Sequence, residues 1–170
     1  MSAKSLSIAH FLEISQIIKL KSFIMSYEYL ISDLKSQKSI GTDKGLAKIG
    51  DGIVNTTYSI AKSIYLSQKS TNKIYRTGLK VSKKILSKAL INANMKHFAK
   101  NRADAHDMAD TVEALIAFVF LNNNMGLKDL ISFLSENFSG EMQNRVQEIE
   151  SATNAFTNLL LFIKKYLPVD

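Results

Sequence analysis

The sequence predicts an all-α protein, on three observations. Pro168 is the only proline and glycine occurs seven times, too few of either for a turn-rich β fold. Apolar residues recur at steps of three and four along most of the chain, the period of helices buried on one side. Residues 104–121, DAHDMADTVEALIAFVFL, are apolar from Ala109 on except for Asp110, Thr111 and Glu113, the pattern of a helix buried on most of its faces. A chain of 170 residues that is 46% apolar can bury a real core, and residues 1–170 read as one helical domain. Cysteine is absent, which excludes disulfides, thiolate metal sites and cysteine nucleophiles. Lys4, His10, Glu13 and Lys19 interrupt the first twenty residues, so no signal peptide or membrane span is expected there and the expected location is cytoplasmic.

Residues 7–35 carry Ile8, Phe11, Leu12, Ile18, Leu20, Phe23, Tyr27, Leu30, Ile31 and Leu34, which predicts one long packing helix or two joined. Residues 39–43, SIGTD, predict a turn in which Thr42 or Asp43 caps the next helix. That helix runs from Lys44 to Leu66, with Leu46, Ile49, Ile53, Tyr58, Ile60, Ile64 and Tyr65 expected inward. Gly50 and Gly52 flank Asp51 inside it, and each costs a helix interior about 1 kcal/mol relative to alanine. Close approach of another helix is the expected compensation, and it would carry Asp51 into the contact.

Residues 67–78 read as a polar connection. Residues 79–93 predict an amphipathic helix with Val81, Ile85, Leu86, Ala89 and Leu90 inward and Lys80, Lys83, Lys84 and Lys88 as an outward basic stripe. A loop over residues 94–102 leads into the 104–121 helix, and His97 and His106 are expected to be structural. A short helix follows over residues 127–138, ending at Ser139 or Gly140. Residues 141–167 place Met142, Val146, Ile149, Thr153, Phe156, Leu160, Ile163 and Leu167 on a heptad seam with one polar position. The seam predicts packing onto the 7–35 helix or onto a partner, and its short length favours the former.

Charge is segregated. The formal net charge is +7, and between Gly52 and Ala103 there is no acid, while that stretch holds eleven of the twenty-two basic residues. A basic half beside a compact acidic cluster suggests a polyanion on one surface and metal at another, and nucleic acid is the expected polyanion. Lysines at the spacing of Lys80, Lys83, Lys84 and Lys88 can follow a phosphate backbone, although a solvated lysine face is common in any protein. Asp104 and Asp107 read as acids that complement a helix dipole. Asp110 and Glu113 lie three apart on one side of a buried helix, where unpaired carboxylates would raise each other's pKa and a divalent cation would relieve both.

Two stretches resemble the ribonuclease III catalytic domain. Leu46-Ala47-Lys48-Ile49-Gly50-Asp51 is similar to that family's signature helix, and Ala109-Asp110-Thr111-Val112-Glu113-Ala114-Leu115-Ile116 to its second motif. The wording is closest to the small stand-alone branch, the Mini-III-like and archaeal proteins without a dsRNA-binding domain. The resemblance implies an all-α endonuclease domain and a symmetric homodimer. It also implies Mg²⁺-dependent hydrolysis (Mn²⁺ being possible) of double-stranded or structured RNA, such as a ribosomal precursor. Asp51, Asp110 and Glu113 match ligand positions, Asp51 and Glu113 also carrying catalysis, and Lys80, Lys83, Lys84 and Lys88 are expected to hold phosphates. The signature's glutamate falls on Ala47, the acid three residues earlier on Lys44, and an interface aromatic on Lys48; Asp107 is the candidate substitute ligand. Two other readings remain: a non-catalytic RNA-binding protein on the same scaffold, and a helical interaction protein that uses the 141–167 seam.

Overall fold

The computed structural model describes residues 27–169, together with Ser15. These residues form six α-helices and three 3₁₀ turns, with no strand among them. Helix α1 (Gln37–Thr42) starts at a reciprocal cap: Ser36 Oγ accepts from Ser39 N–H and Ser39 Oγ from Ser36 N–H, both at 3.1 Å. The predicted turn over residues 39–43 is therefore the end of a short helix. Helix α2 (Lys44–Gln68) follows directly, capped by Asp43, whose Oδ1 accepts from Leu46 N–H at 2.6 Å.

Helices α3 (Lys83–Asn92), α4 (Ala105–Leu121), α5 (Leu127–Asn137) and α6 (Arg145–Ile163) complete the order. Eleven of the seventeen residues of α4 are buried, which makes it the central helix. Helices α1, α2, α3 and α6 and the 3₁₀ turn Glu28–Ile31 pack around it, while α5 bridges α2 and α6. The expected 7–35 helix falls mainly outside the described residues. Its described end is that 3₁₀ turn, with Ile31 buried and Tyr27 and Leu30 exposed.

Helix α2 turns differently from its expected face. Leu46, Ala47, Gly50, Val54, Tyr58, Ala61 and Tyr65 are buried, whereas Ile49 and Ile60 are 43% and 40% exposed. The small residues at 47, 50 and 61 let neighbours approach, so the close-packed face, not the most apolar one, points inward. Among the described residues the seam helix α6 packs mainly on α3 and α5, and most of the expected 7–35 partner lies outside them. The helix starts only at Arg145, and Val146 stands 74% exposed.

Polar residues hold α2 to what lies beside it. Glu148, buried on α6, accepts from Lys62 Nζ at 2.8 Å, Tyr58 O–H at 2.6 Å and Arg145 Nη1 at 2.9 Å. Burial pushes Glu148 up, but these three donors outweigh it and hold the carboxyl below its ordinary range. The predicted helix start at residues 79–82 is instead part of an extended segment. The N–H groups of Tyr75, Thr77, Leu79 and Val81 donate to Ser67 Oγ, Ser63 Oγ, Ser59 Oγ and Asn55 Oδ1 at 2.8–3.2 Å. Acceptors four residues apart on a helix are about 6 Å apart, the distance two residues of extended chain cover, so the two registers match. Among the described residues no helix is long and apolar enough to cross a membrane.

Candidate active site

The site is made by the crossing of α2 and α4. A Cβ added to Gly50 would meet the Glu113 carbonyl oxygen at 2.0 Å, so only glycine allows these two backbones to touch. Gly52 has nothing within 4 Å of such a Cβ and plays no part in the contact. Thr111 fixes the rotation of α4, since its Oγ1 donates to the Gly41 carbonyl at 2.8 Å in the buried seam with α1. Asp51 follows Gly50 on one helix and Glu113 sits at the contact on the other, so the crossing brings both carboxylates to one cleft.

Asp51, Asp110 and Glu113 line one cleft of about 570 Å³, with Ala47 and Ala109 also in its wall. Burial, then the charge of Asp51, then that of Asp110 push the Glu113 carboxyl up to about 7, with Lys80 pulling in the opposite direction. Asp51 is oriented by Asn55, whose Nδ2 donates to its Oδ1 at 2.8 Å while Asn55 Oδ1 accepts from Val81 N–H. Asn55 thus ties the candidate carboxylate to the extended segment. Its signal in the sequence was the step of four from Asp51 and its place at the head of the Asn55, Ser59, Ser63, Ser67 series.

Lys44 changes the electrostatics of the cleft. Its Nζ lies 2.5 Å from Asp110 Oδ2 and 3.6 Å from Asp107 Oδ1. His106, expected to be structural, borders the cleft with its Nδ1 3.7 Å from Asp110 Oδ1, whereas His97 rests edge-on against Phe98. Asp107 lies outside the cleft wall and is engaged elsewhere. Its Oδ1 meets Lys100 Nζ at 2.8 Å and its Oδ2 accepts from Asp104 N–H at 3.1 Å, completing the capping box that starts α4. Lys100, then the Asp104 amide, hold its carboxyl down at about 2. This occupation fits the helix-start role better than that of a substitute ligand.

The four lysines do not form one stripe. Lys83 lines the cleft, and the exposed Lys80 precedes α3 and acts on Glu113 through its charge. Lys84 and Lys88 line a separate groove against α6. Lys48, on the cleft wall from α2, adds a further cation.

Among the described residues no three His, Cys, Asp or Glu side chains converge closely enough to cage a metal. The carboxylates that could serve an ion are Asp51 and Glu113, which share the cleft wall and are in no ion pair among the described residues. Mg²⁺ accepts such a pair, keeping waters and taking phosphate oxygens for its other positions. Asp110 is partly neutralised by Lys44 already.

A search of curated proteins finds none that matches the chain. The family model described as Ribonuclease III matches residues 44–169, from the first residue of α2 through the last described residue. The match takes in both helices of the crossing and every residue of the cleft, and the chain belongs to the ribonuclease III family.

Proposed function

We propose that the chain is an endoribonuclease that hydrolyses phosphodiester bonds in double-stranded or structured RNA with a divalent metal, Mg²⁺ or Mn²⁺. One observation carries this reading: Asp51, Asp110 and Glu113 face one cleft at the Gly50 crossing, with Lys44, Lys48 and Lys83 around them. Asp51 and Glu113 would hold the ion, which when bound polarises a phosphoryl oxygen and acidifies a water. Asn55 keeps the Asp51 carboxylate oriented, and Lys83 and Lys80 would hold phosphate oxygens of the strand. The cleft is lined by lysines and carboxylates, with no Phe, Tyr or Trp among its described residues, which suits a duplex recognised by shape, phosphates and 2′-hydroxyls.

The active unit would be a homodimer. Ile49, Ile53 and Ile60 fall on one side of α2, and the first and last are exposed, an apolar stripe that a second copy would cover. Sedimentation of the wild type beside Ile49→Glu tests this: dimer for the first and monomer for the second is the expected result. The experiment for the activity is incubation with a long RNA duplex, with and without Mg²⁺, beside Glu113→Gln. Metal-dependent cutting that Glu113→Gln abolishes supports the reading. Ala47 and the Lys44–Asp110 pair favour a second reading, a non-catalytic RNA-binding protein on the same scaffold. It predicts salt-sensitive duplex binding by both proteins and no cutting in either metal.

A further inference from the structure

A second groove, of about 500 Å³, opens between α3 and α6, away from the cleft carboxylates. Its composition is specific. Lys84 and Lys88, one helical turn apart on α3, stand on its rim and neither is in an ion pair among the described residues. Ile91, Val146 and Ile149 supply branched apolar walls. Asn92, Asn154 and Glu150 place two amides and a carboxylate among those walls. At its base Thr153 is 5% exposed, and its hydroxyl finds no hydrogen-bond partner among the described residues.

Each part matches one part of a nucleotide. Apolar side chains can enclose the two faces of an unstacked base, and amides with a carboxylate match the mixed donors and acceptors of its edge. Two unpaired ammonium groups accept a phosphate. A base locked in a duplex could not enter, because its edge is paired and its faces are stacked. Lys83 lines the cleft and Lys84 the groove, so the first turn of α3 contributes to both openings.

We propose that the α3–α6 groove, bounded by Lys84, Lys88, Asn154 and Val146, binds a single unpaired nucleotide of the RNA whose duplex part lies in the cleft. The choice of RNA rests on the proposed function, whereas the nucleotide site itself rests on the groove. Substrates with a single-stranded extension beside the duplex would then be preferred over blunt ones.

The test is binding in EDTA, where the metal is withheld. The probes are a blunt RNA duplex, the same duplex with a short single-stranded extension, and adenosine monophosphate followed by NMR. Wild type is compared with Val146→Glu and Asn154→Ala, both at exposed positions where the fold is not at stake. The extended duplex is expected to bind about tenfold more tightly than the blunt one, the effect of seating one base in the groove. Both variants are expected to lose that preference while holding the blunt duplex as wild type does. Equal affinity for the two duplexes, or a preference that survives both variants, overturns the proposal. Shifts from adenosine monophosphate at Ile91 and Ile149 without any duplex preference assign the groove to a free nucleotide and overturn the RNA source. Failure of every duplex to bind overturns the RNA reading of the whole protein, and the mononucleotide shifts then still decide the groove.

Discussion

Lys44 Nζ lies 2.5 Å from Asp110 Oδ2, so a cation built into the chain already neutralises one of the three cleft carboxylates. The pair joins the first residue of α2 to the second turn of α4, a sequence separation of 66. It leaves Asp51 and Glu113 as the carboxylates with unmet demand for positive charge, and it competes with any ion that would engage Asp110.

Lys44→Met is expected to tighten divalent-ion binding. The side chain of Lys44 is 59% exposed, so solvent screens the pair and its removal is expected to strengthen Mg²⁺ affinity roughly two- to fivefold. Thermal unfolding over a Mg²⁺ titration reads this directly, because stabilisation grows with ion concentration relative to Kd. Superimposable titrations of wild type and variant would mean that the ammonium does not compete.

Glu113 sets a pH dependence of known sign. Its folded pKa of about 7 lies above the ordinary 4.5, so between these values the folded chain holds a proton that the unfolded chain has released. The stability from this group is complete below the lower value and is lost as pH rises through the upper one. At about pH 8 without metal, Glu113→Gln is therefore expected to melt above wild type, with the gap closing as the pH approaches 4.5. Mg²⁺ should then stabilise wild type and leave Glu113→Gln unmoved. A variant that melts lower than wild type at both ends would rule out the frustrated-carboxylate account.

Some of this site could be read from local pattern and some could not. Gly50 and Asp51 were legible because a glycine in a helix interior needs a compensating contact, and Asp110 and Glu113 because acids are rare inside an apolar run. Gly52 carried the same signal and proved idle, since spacing alone does not say which glycine faces the partner helix. Lys44 could be seen only as an acid missing from a motif; its bond to Asp110 depends on how α1 delivers the start of α2. The extended segment was hidden for a different reason. Tyr75, Leu79 and Val81 do alternate with Arg76, Gly78 and Lys80, but the N–H partners are side chains of α2, Ser67, Ser63, Ser59 and Asn55, rather than a neighbouring strand, and Leu79 and Val81 also continue the helical spacing of α3.

The two glycines of α2 predict opposite outcomes. Gly50→Ala forces a methyl into the Glu113 backbone and is expected to cost about 3 kcal/mol or more, since backbone cannot yield as a side chain can. Gly52→Ala meets nothing and is expected to gain up to about 1 kcal/mol from helix propensity. Urea unfolding of the two variants checks the pair. Equal losses would show that both positions lie against a neighbour.

The buried carboxylate of Glu148 supplies the last prediction. Lys62 and Glu148 are both nearly inaccessible, and the Tyr58 hydroxyl shares the same Oε1. Burial, then the bond to Glu148, pushes the Tyr58 hydroxyl well above its ordinary pKa, so it remains a donor throughout the physiological range. Lys62→Met leaves Glu148 with one buried donor fewer and is expected to cost about 3–5 kcal/mol, the penalty of a half-broken buried pair. Lys62→Met with Glu148→Leu removes both charges and is expected to recover much of that loss. Arg145 and Tyr58 would still lose their acceptor in the double variant, which limits the recovery. Chemical denaturation of both single variants and the double gives the coupling. Additive losses would mean that the Lys62–Glu148 contact contributes nothing of its own beyond the packing of Tyr58 against Phe156 on α6.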